Sequence, residues 1–342
     1  MLYPKNLEWG DKIGVTAPSS GFTEEADRIR LESGISHFNK LGYPVIVTEN
    51  VRKCEKGRSG DGPSRAKECM ELFLTPEVRA IFAASGGDYL VEMLPYLDFE
   101  VIRKNPKWVQ GFSDNTGLVF TLTTNLDMAT IYGYNFSSFG MEKWHSSLHD
   151  NISILEGRDI IQQSSEYHQD GYYPRITGLE EFVLTRETRW VNVWPKGRMS
   201  GEELVLHGRA LGGCLDVCLS LVGTRYDKVR EFSRRYKQDK ILWFLESYDL
   251  NTEALIRGLW QLREAGWFEY AGGFVFGRPC MYESHTDTSY GEAVLSVLGE
   301  LDLPIILDAD IGHKPPQFAM VNGAIACVRS LDGTGSITFE RR

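Results

Sequence analysis

The feature that most limits the fold is an alternation running through residues 12–132, where short apolar runs are separated by segments of helical period. Residues 12–17 are largely apolar and end at Pro18, Ser19 and Ser20, as a buried strand entering a loop does. Residues 44–48, 78–84, 108–112 and 129–132 repeat the pattern. Between them residues 23–41, 64–74 and 114–125 carry apolar side chains on a helical period, the first with a capping-type start at Thr23, and residues 92–96 belong to a further helix. This order predicts a Rossmann-like, mostly parallel sheet with right-handed crossovers and helices on both faces.

The second half predicts a C-terminal α/β domain with a β-rich end. The glycines of residues 208–213 open a helix over 214–222, followed by a strand at 241–246, a helix over 251–266 and a strand at 274–277. A helix over 290–301, a strand at 304–308 and two closing strands, 324–328 and 336–340, complete it. A chain of 342 residues exceeds the usual size of a single core. We therefore expect an N-terminal domain over residues 1–165 and a second part over 166–342. From 136 to 201 the periodicity weakens into a linker plus a folded loop.

Charge and cysteine usage narrow the function. A net charge of −10 without a lysine or arginine stripe argues against nucleic acid or an anionic membrane as partner and favours small ligands. Six scattered cysteines form neither a C-x-x-C pair nor a disulfide framework, which fits a reducing compartment. The N-terminus lacks the basic and apolar pattern of a leader, and no run of about 18 apolar residues occurs. The expectation is a cytoplasmic protein without a membrane span. G-x-G-x-x-G is absent after the first strand and no Walker A loop occurs, so no nucleotide cofactor is expected. His145 and His149, four apart, lack a third ligand nearby, so no metal is expected either.

Ligands on such a sheet collect beyond the carboxyl ends of the strands, where Ser19, Gly86, Gly87 and Ser113 fall. Ser113 sits at a sharp strand-to-helix turn, Gly111-Phe112-Ser113-Asp114-Asn115, which displays a serine as a nucleophile elbow does, although Asn115 replaces the second glycine. The same position suits an ordinary N-cap. Glu246 ends the most apolar strand of the chain, where a carboxylate is costly without a partner, although it could also reach solvent. His313 follows another apolar strand and precedes Pro315 and Pro316.

The three chemistries complement one another. A serine needs a base, histidine supplies it, and a carboxylate orients the histidine. The backbone N–H of Asp114, with that of Gly86 or Gly87, could hold an oxyanion. Trp190 and Trp194 alternate on one strand-like run and are either packing or a surface on which substrate stacks. A two-lobed binding protein without turnover is the competing reading from another class.

Five motifs in register, Ala84–Asp88, Gly111–Thr116, Gly208–Gly213, Phe244–Glu246 and Ile311–His313 with its prolines, resemble those of the LD-carboxypeptidase family of serine peptidases. The resemblance spans nearly the whole chain. It implies a Ser113–Glu246–His313 triad, a nucleophile domain followed by a domain carrying the other two residues, no cofactor, and a homodimer. One branch of the family trims the terminal D-alanine of murein tetrapeptides. The other, the microcin C self-immunity peptidases, cleaves the amide joining an aspartyl group to a nucleotide. The long tryptophan-rich segment before Gly208 and the Ser-Tyr-Asp after Glu246 resemble the second branch, which implies a peptidyl-nucleotide substrate with Trp190 or Trp194 on its base. Cys214 departs from the family by standing where many members carry asparagine.

Overall fold

The apolar runs of the first half become β1 (Lys12–Thr16), β2 (Val45–Val47), β3 (Val78–Ala83), β4 (Trp108–Gly111) and β5 (Thr130–Tyr132) in the computed structural model, which describes residues 1–196 and 203–342. Helices α1 (Glu25–Lys40), α2 (Gly62–Leu74), α3 (Phe99–Lys104) and α4 (Thr116–Leu126) lie between them, and α5 (Ser146–Leu155) follows. The strands run in the order β5-β4-β3-β1-β2 with each of these neighbours parallel. Ile13, Val15, Ala80, Phe82, Trp108 and Ile131 are fully buried, and burial on both faces explains why the strands read as unbroken apolar runs.

Local chemistry sets the ends of these helices. Asp61 accepts the Ser64 N–H at the start of α2, and Asp98 accepts those of Glu100 and Val101 at the start of α3. The capping-type start expected at Thr23 does not form: α1 opens at Glu25, and Glu24 at its N-cap makes no side-chain cap bond. The helix expected over 92–96 is replaced by two single 3₁₀ turns, Leu90–Glu92 and Leu94–Tyr96. Pro95 lies inside that stretch and has no N–H to continue a helix.

The chain divides into two units, Met1–Asp159 with Tyr173–Glu181, and Ile160–Tyr172 with Phe182–Arg342. The division falls after Asp159, where the sequence suggested 165, and a later segment returns to the first unit. Arg30 accounts for the return. Its buried guanidinium donates to the carbonyls of Ser137, Gly178 and Glu180, tying residues 178–180 to α1.

The second unit is built on an eight-stranded sheet. Its strands are β6 (Gln162–Gln163), β9 (Val191–Val193), β10 (Leu204–Cys214), β11 (Ile241–Glu246), β12 (Ala271–Gly277), β13 (Ile305–Ala309), β15 (Ile325–Leu331) and β16 (Thr334–Glu340). Tyr167–His168 (β7) and Arg186–Glu187 (β8) form a separate pair, and Met320–Asn322 is β14. The order is β6-β16-β15-β10-β11-β12-β13-β9. Strands β10 to β13 are parallel neighbours, whereas β15, β16 and β6 on one side and β9 on the other add antiparallel pairs. The fold is thus mixed α/β with a mostly parallel first sheet and a second, mixed one.

Helices α6 (Leu215–Leu221), α7 (Val229–Arg235), α8 (Thr252–Glu264) and α9 (Tyr290–Leu298) accompany it. Asn251 caps α8 by accepting the Ala254 N–H, and Ser289 with Glu292 forms a capping box on α9. The glycines at 208–213 do not open a helix. They lie within the eleven-residue β10, where a side chain at Gly212 would overlap the Phe244 carbonyl of β11. Close approach of two strands, not a turn, is what requires glycine there. Among the described residues no helix is long and apolar enough to cross a membrane.

Candidate active site

In the first unit, β4 ends at Gly111 and the chain turns through Ser113 into a 3₁₀ turn, Ser113–Asn115, that runs on into α4. Ser113 has φ +64°, in the left-handed region that non-glycine residues adopt at a cost of about 1–3 kcal/mol. The surroundings impose it. The Phe112 N–H donates to Asn135 Oδ1 at 3.0 Å, and Asn115 Nδ2 donates to the carbonyl of Ser85 at 2.8 Å and to Asn135 Oδ1 at 3.1 Å. Thr116 Oγ1 donates to the Ser113 carbonyl at 2.7 Å. A side chain at Gly111 would meet the Asn115 and Ala83 side chains at 2.8 and 2.9 Å, so the elbow closes tightly on β3.

Gly86 and Gly87 stand beside this serine. A Cβ on Gly86 would lie 3.1 Å from Ser113 Oγ, and one on Gly87, whose φ is +149°, would overlap Ser19 Oγ. The ends of β1, β3 and β4 therefore converge on Ser113. Asp114, expected for its amide, also has a buried carboxylate at work: it accepts the Ser19 hydroxyl at 2.5 Å and the Leu90 N–H at 2.8 Å. Burial pushes that carboxyl above the ordinary aspartate range, with the Ser19 and Leu90 hydrogen bonds opposing.

In the second unit, β11 delivers Glu246 fully buried, and the loop after β13 delivers His313. His313 Nδ1 lies 2.9 Å from Glu246 Oε2. A carboxylate only accepts, so Nδ1 carries the proton and Nε2 keeps the lone pair a general base uses. Gly312, at φ +94°, permits the approach, since a Cβ there would come 2.5 Å from Glu246 Cδ. The Tyr248 ring lies 4.7 Å from the imidazole at 45°.

Beneath the loop, Arg278 donates to the carbonyls of Lys314 and Pro316 and to Asp310 Oδ1 at 2.9, 3.0 and 3.1 Å. The Trp190 indole N–H donates to Asp310 Oδ2 at 2.9 Å. Burial raises the Asp310 carboxyl above its usual range, while Arg278 and then Trp190 oppose the rise.

Trp190 is thus a packing residue of this unit, 4% exposed, edge-on to Phe318 and closing over Gly335. Its expected stacking on substrate does not fit that burial. Trp194 is half-buried. Cys214 pairs with Glu246 across β10 and β11, and burial first, then Glu246 and Asp216, pushes its thiol well up. Asp216 accepts the N–H groups of Tyr248 and Asp249 at 3.0 and 3.1 Å, shaping the loop after Glu246. His145 caps α5 through its Nδ1, and His149 packs on Trp144. Among the described residues no three or more His, Cys, Asp or Glu gather as metal ligands.

Asn135, Asp216, Arg278 and Asp310 were not singled out from sequence, and Asn115 was noted only as a departure from the elbow pattern. The only available signal was Asn115 in place of an elbow glycine, which demands a polar partner for a buried amide.

With this geometry established, the comparisons are specific. The LD-carboxypeptidase N-terminal domain matches residues 13–133 and the LD-carboxypeptidase C-terminal domain matches residues 207–328. YocD of Bacillus subtilis (strain 168), a carboxypeptidase by name, is 25% identical over 345 residues, covering 99% of this chain and 100% of its own. The crystal structure of an MccF-like protein from Bacillus anthracis str. Ames superimposes with a TM-score of 0.83 at 25% identity, covering 100% of both chains. The microcin C7 self-immunity protein MccF of Escherichia coli is 32% identical over 127 residues, 37% of each chain. MccF in complex with aspartyl sulfamoyl adenosine superimposes with a TM-score of 0.81 at 21% identity, covering 100% of this chain and 99% of that one, a likeness of fold.

The chain is a serine-type peptidase. It belongs to the LD-carboxypeptidase family, whose two domains it carries in order.

Proposed function

We propose that Ser113, His313 and Glu246 act as one triad in amide hydrolysis, and that the substrate is an aminoacyl-nucleotide amide of the microcin C type. The observation that carries the reading is the 2.9 Å contact of His313 Nδ1 with the fully buried Glu246. A buried carboxylate that orients an imidazole stabilises the imidazolium formed when the base takes a proton. The left-handed turn at Ser113 adds support, because strain of this kind displays a nucleophile above a strand end.

In the proposed reaction His313 Nε2 takes the Ser113 proton as Oγ attacks the carbonyl carbon. The N–H of Asp114, with that of Gly86 or Gly87, holds the developing oxyanion. His313 then protonates the departing amine, and water releases the acyl group by the same steps. The roles need no cofactor. The nucleotide preference rests on the MccF complex and on the segment before Gly208, with Trp194 as the aromatic assigned to substrate now that Trp190 is packed away. A homodimer in the cytoplasm completes the proposal, checked by light scattering and cell fractionation.

A fluorophosphonate probe tests the nucleophile: wild type labels and Ser113→Ala does not, whereas equal labelling removes Ser113 from the reaction. Competition between an aspartyl-adenylate amide analogue and a murein tetrapeptide tests the substrate through kcat/KM. The nucleotide conjugate is expected to win, and Trp194→Ala to erode its advantage. Better turnover of the tetrapeptide assigns the chain to cell-wall recycling. Tight binding of either ligand without product favours a binding protein.

A further inference from the structure

The loop that carries His313 has no regular hydrogen-bonded structure of its own between β13 and β14, yet the imidazole must hold one orientation to keep Nδ1 on Glu246. Arg278, which follows β12 directly, supplies the restraint from below. Its guanidinium is 3% exposed and reaches both flanks of the loop: the Asp308 carbonyl at 3.4 Å before His313, and the Lys314 and Pro316 carbonyls at 2.9 and 3.0 Å after it. The same Nη2 pairs with Asp310 Oδ1 at 3.1 Å, and the second Asp310 oxygen accepts the Trp190 N–H. Asp310 is 1% exposed, so cation, anion and indole form one buried network.

We infer that Arg278 is a positioning residue for His313, with Asp310 and Trp190 holding its guanidinium in place. A buried arginine beside a carboxylate is poor evidence for stability, because its desolvation offsets much of the attraction. Specific geometry is the better explanation. The planar fork of donors meets several carbonyls of one loop at once, and a lysine ammonium, a single point of charge, cannot reproduce that spread. The Asp308 carbonyl before His313 and the Lys314 and Pro316 carbonyls after it hold the loop from both sides, so a shift of the guanidinium moves the imidazole relative to Glu246. Misplacement of a reacting group by about 1 Å can cost on the order of 10²-fold in rate.

The catalytic part of this inference rests on His313 being the base of the proposed triad, so the test reads the histidine itself as well as the chemistry. Full-length wild type, Arg278→Lys and Trp190→Phe are compared. The first reading is the downfield proton resonance of His313 Nδ1–H in the bond to Glu246, assigned by its loss in His313→Gln. The second is fluorophosphonate labelling, as the saturating rate and the half-saturating concentration. Arg278→Lys is expected to broaden or shift the resonance and to lower the saturating rate by about 10²-fold with half-saturation within about twofold. Trp190→Phe, which removes one N–H and keeps an aromatic ring, is expected to do the same more weakly.

A wild-type resonance and rate in a folded Arg278→Lys overturns the inference. If Arg278→Lys does not fold, an unchanged resonance and rate in Trp190→Phe overturns it instead. A shifted resonance in a protein whose labelling survives Ser113→Ala supports the positioning role and rejects the triad. The two failures are therefore distinguishable.

Discussion

Ser113 occupies a left-handed conformation because Asn115 and Asn135 satisfy the backbone around it, so a single residue carries strain that its neighbours maintain. Gly312 plays the converse part. At φ +94° and against Glu246, it is a position where one methyl group acts directly on the His313–Glu246 pair: Gly312→Ala is expected to lower turnover by about 10²-fold and stability by about 1–3 kcal/mol, read from kcat and urea unfolding. Wild-type kinetics in that variant would show that the His313–Glu246 contact tolerates displacement. His168 gives the fold an acid sensitivity of its own. Burial, with Arg278 and Lys314 nearby, lowers His168 from 6.5 to about 4. The unfolded chain therefore takes up a proton at higher pH than the folded one, so the contribution is fully present above pH 6.5 and is lost as pH falls toward 4. In His168→Gln this part of the acid sensitivity disappears, flattening unfolding free energy against pH by about 1 kcal/mol once screening of a half-buried ring is allowed for. An unchanged slope in that interval would remove His168 from the account.

At the scale of elements, β10 is where reading and structure part most clearly. Glycines followed by an apolar helical segment are the composition of a turn, and only the neighbouring β11 shows why they belong to a strand. Gly212→Ala is expected to cost about 3 kcal/mol or to prevent folding, since the Phe244 carbonyl occupies the space. Gly299→Ala is the control: it lies at the end of α9 with φ −61° and nothing within 4 Å of an added Cβ, so stability should change by less than about 0.5 kcal/mol. Similar unfolding midpoints for the two would contradict the close approach of β10 and β11. Elements with local signals were legible, whereas α5, α7 and the short strands β6, β7, β8 and β14 were not anticipated. Asn251 before α8, Ser289 with Glu292 on α9, and apolar runs buried on both faces at β3, β4 and β11 are each readable within a dozen residues.

For the whole molecule, the serine belongs to one unit and the glutamate–histidine pair to the other. If they form one device, their removal is not additive: Ser113→Ala with His313→Ala should lower kcat no further than the worse single variant, whereas multiplied losses would mean independent roles. Alternating strand and helix periods along the chain were enough to place it in the α/β class. The sequence also marked the candidate chemistry, because Ser113, Glu246 and His313 each stand at or just beyond the end of an apolar strand, where an ionisable or hydroxylated side chain stands out locally. Which groups touch came from packing alone. It brought Glu246 to His313 across 67 positions of sequence, turned Trp190 inward onto Asp310, placed Arg278 under the histidine loop, and returned Tyr173–Glu181 to the first unit. The physical reason is that periodicity records which side of an element is buried, while a hydrogen bond between residues far apart in the chain depends on how elements pack and leaves no pattern at either end.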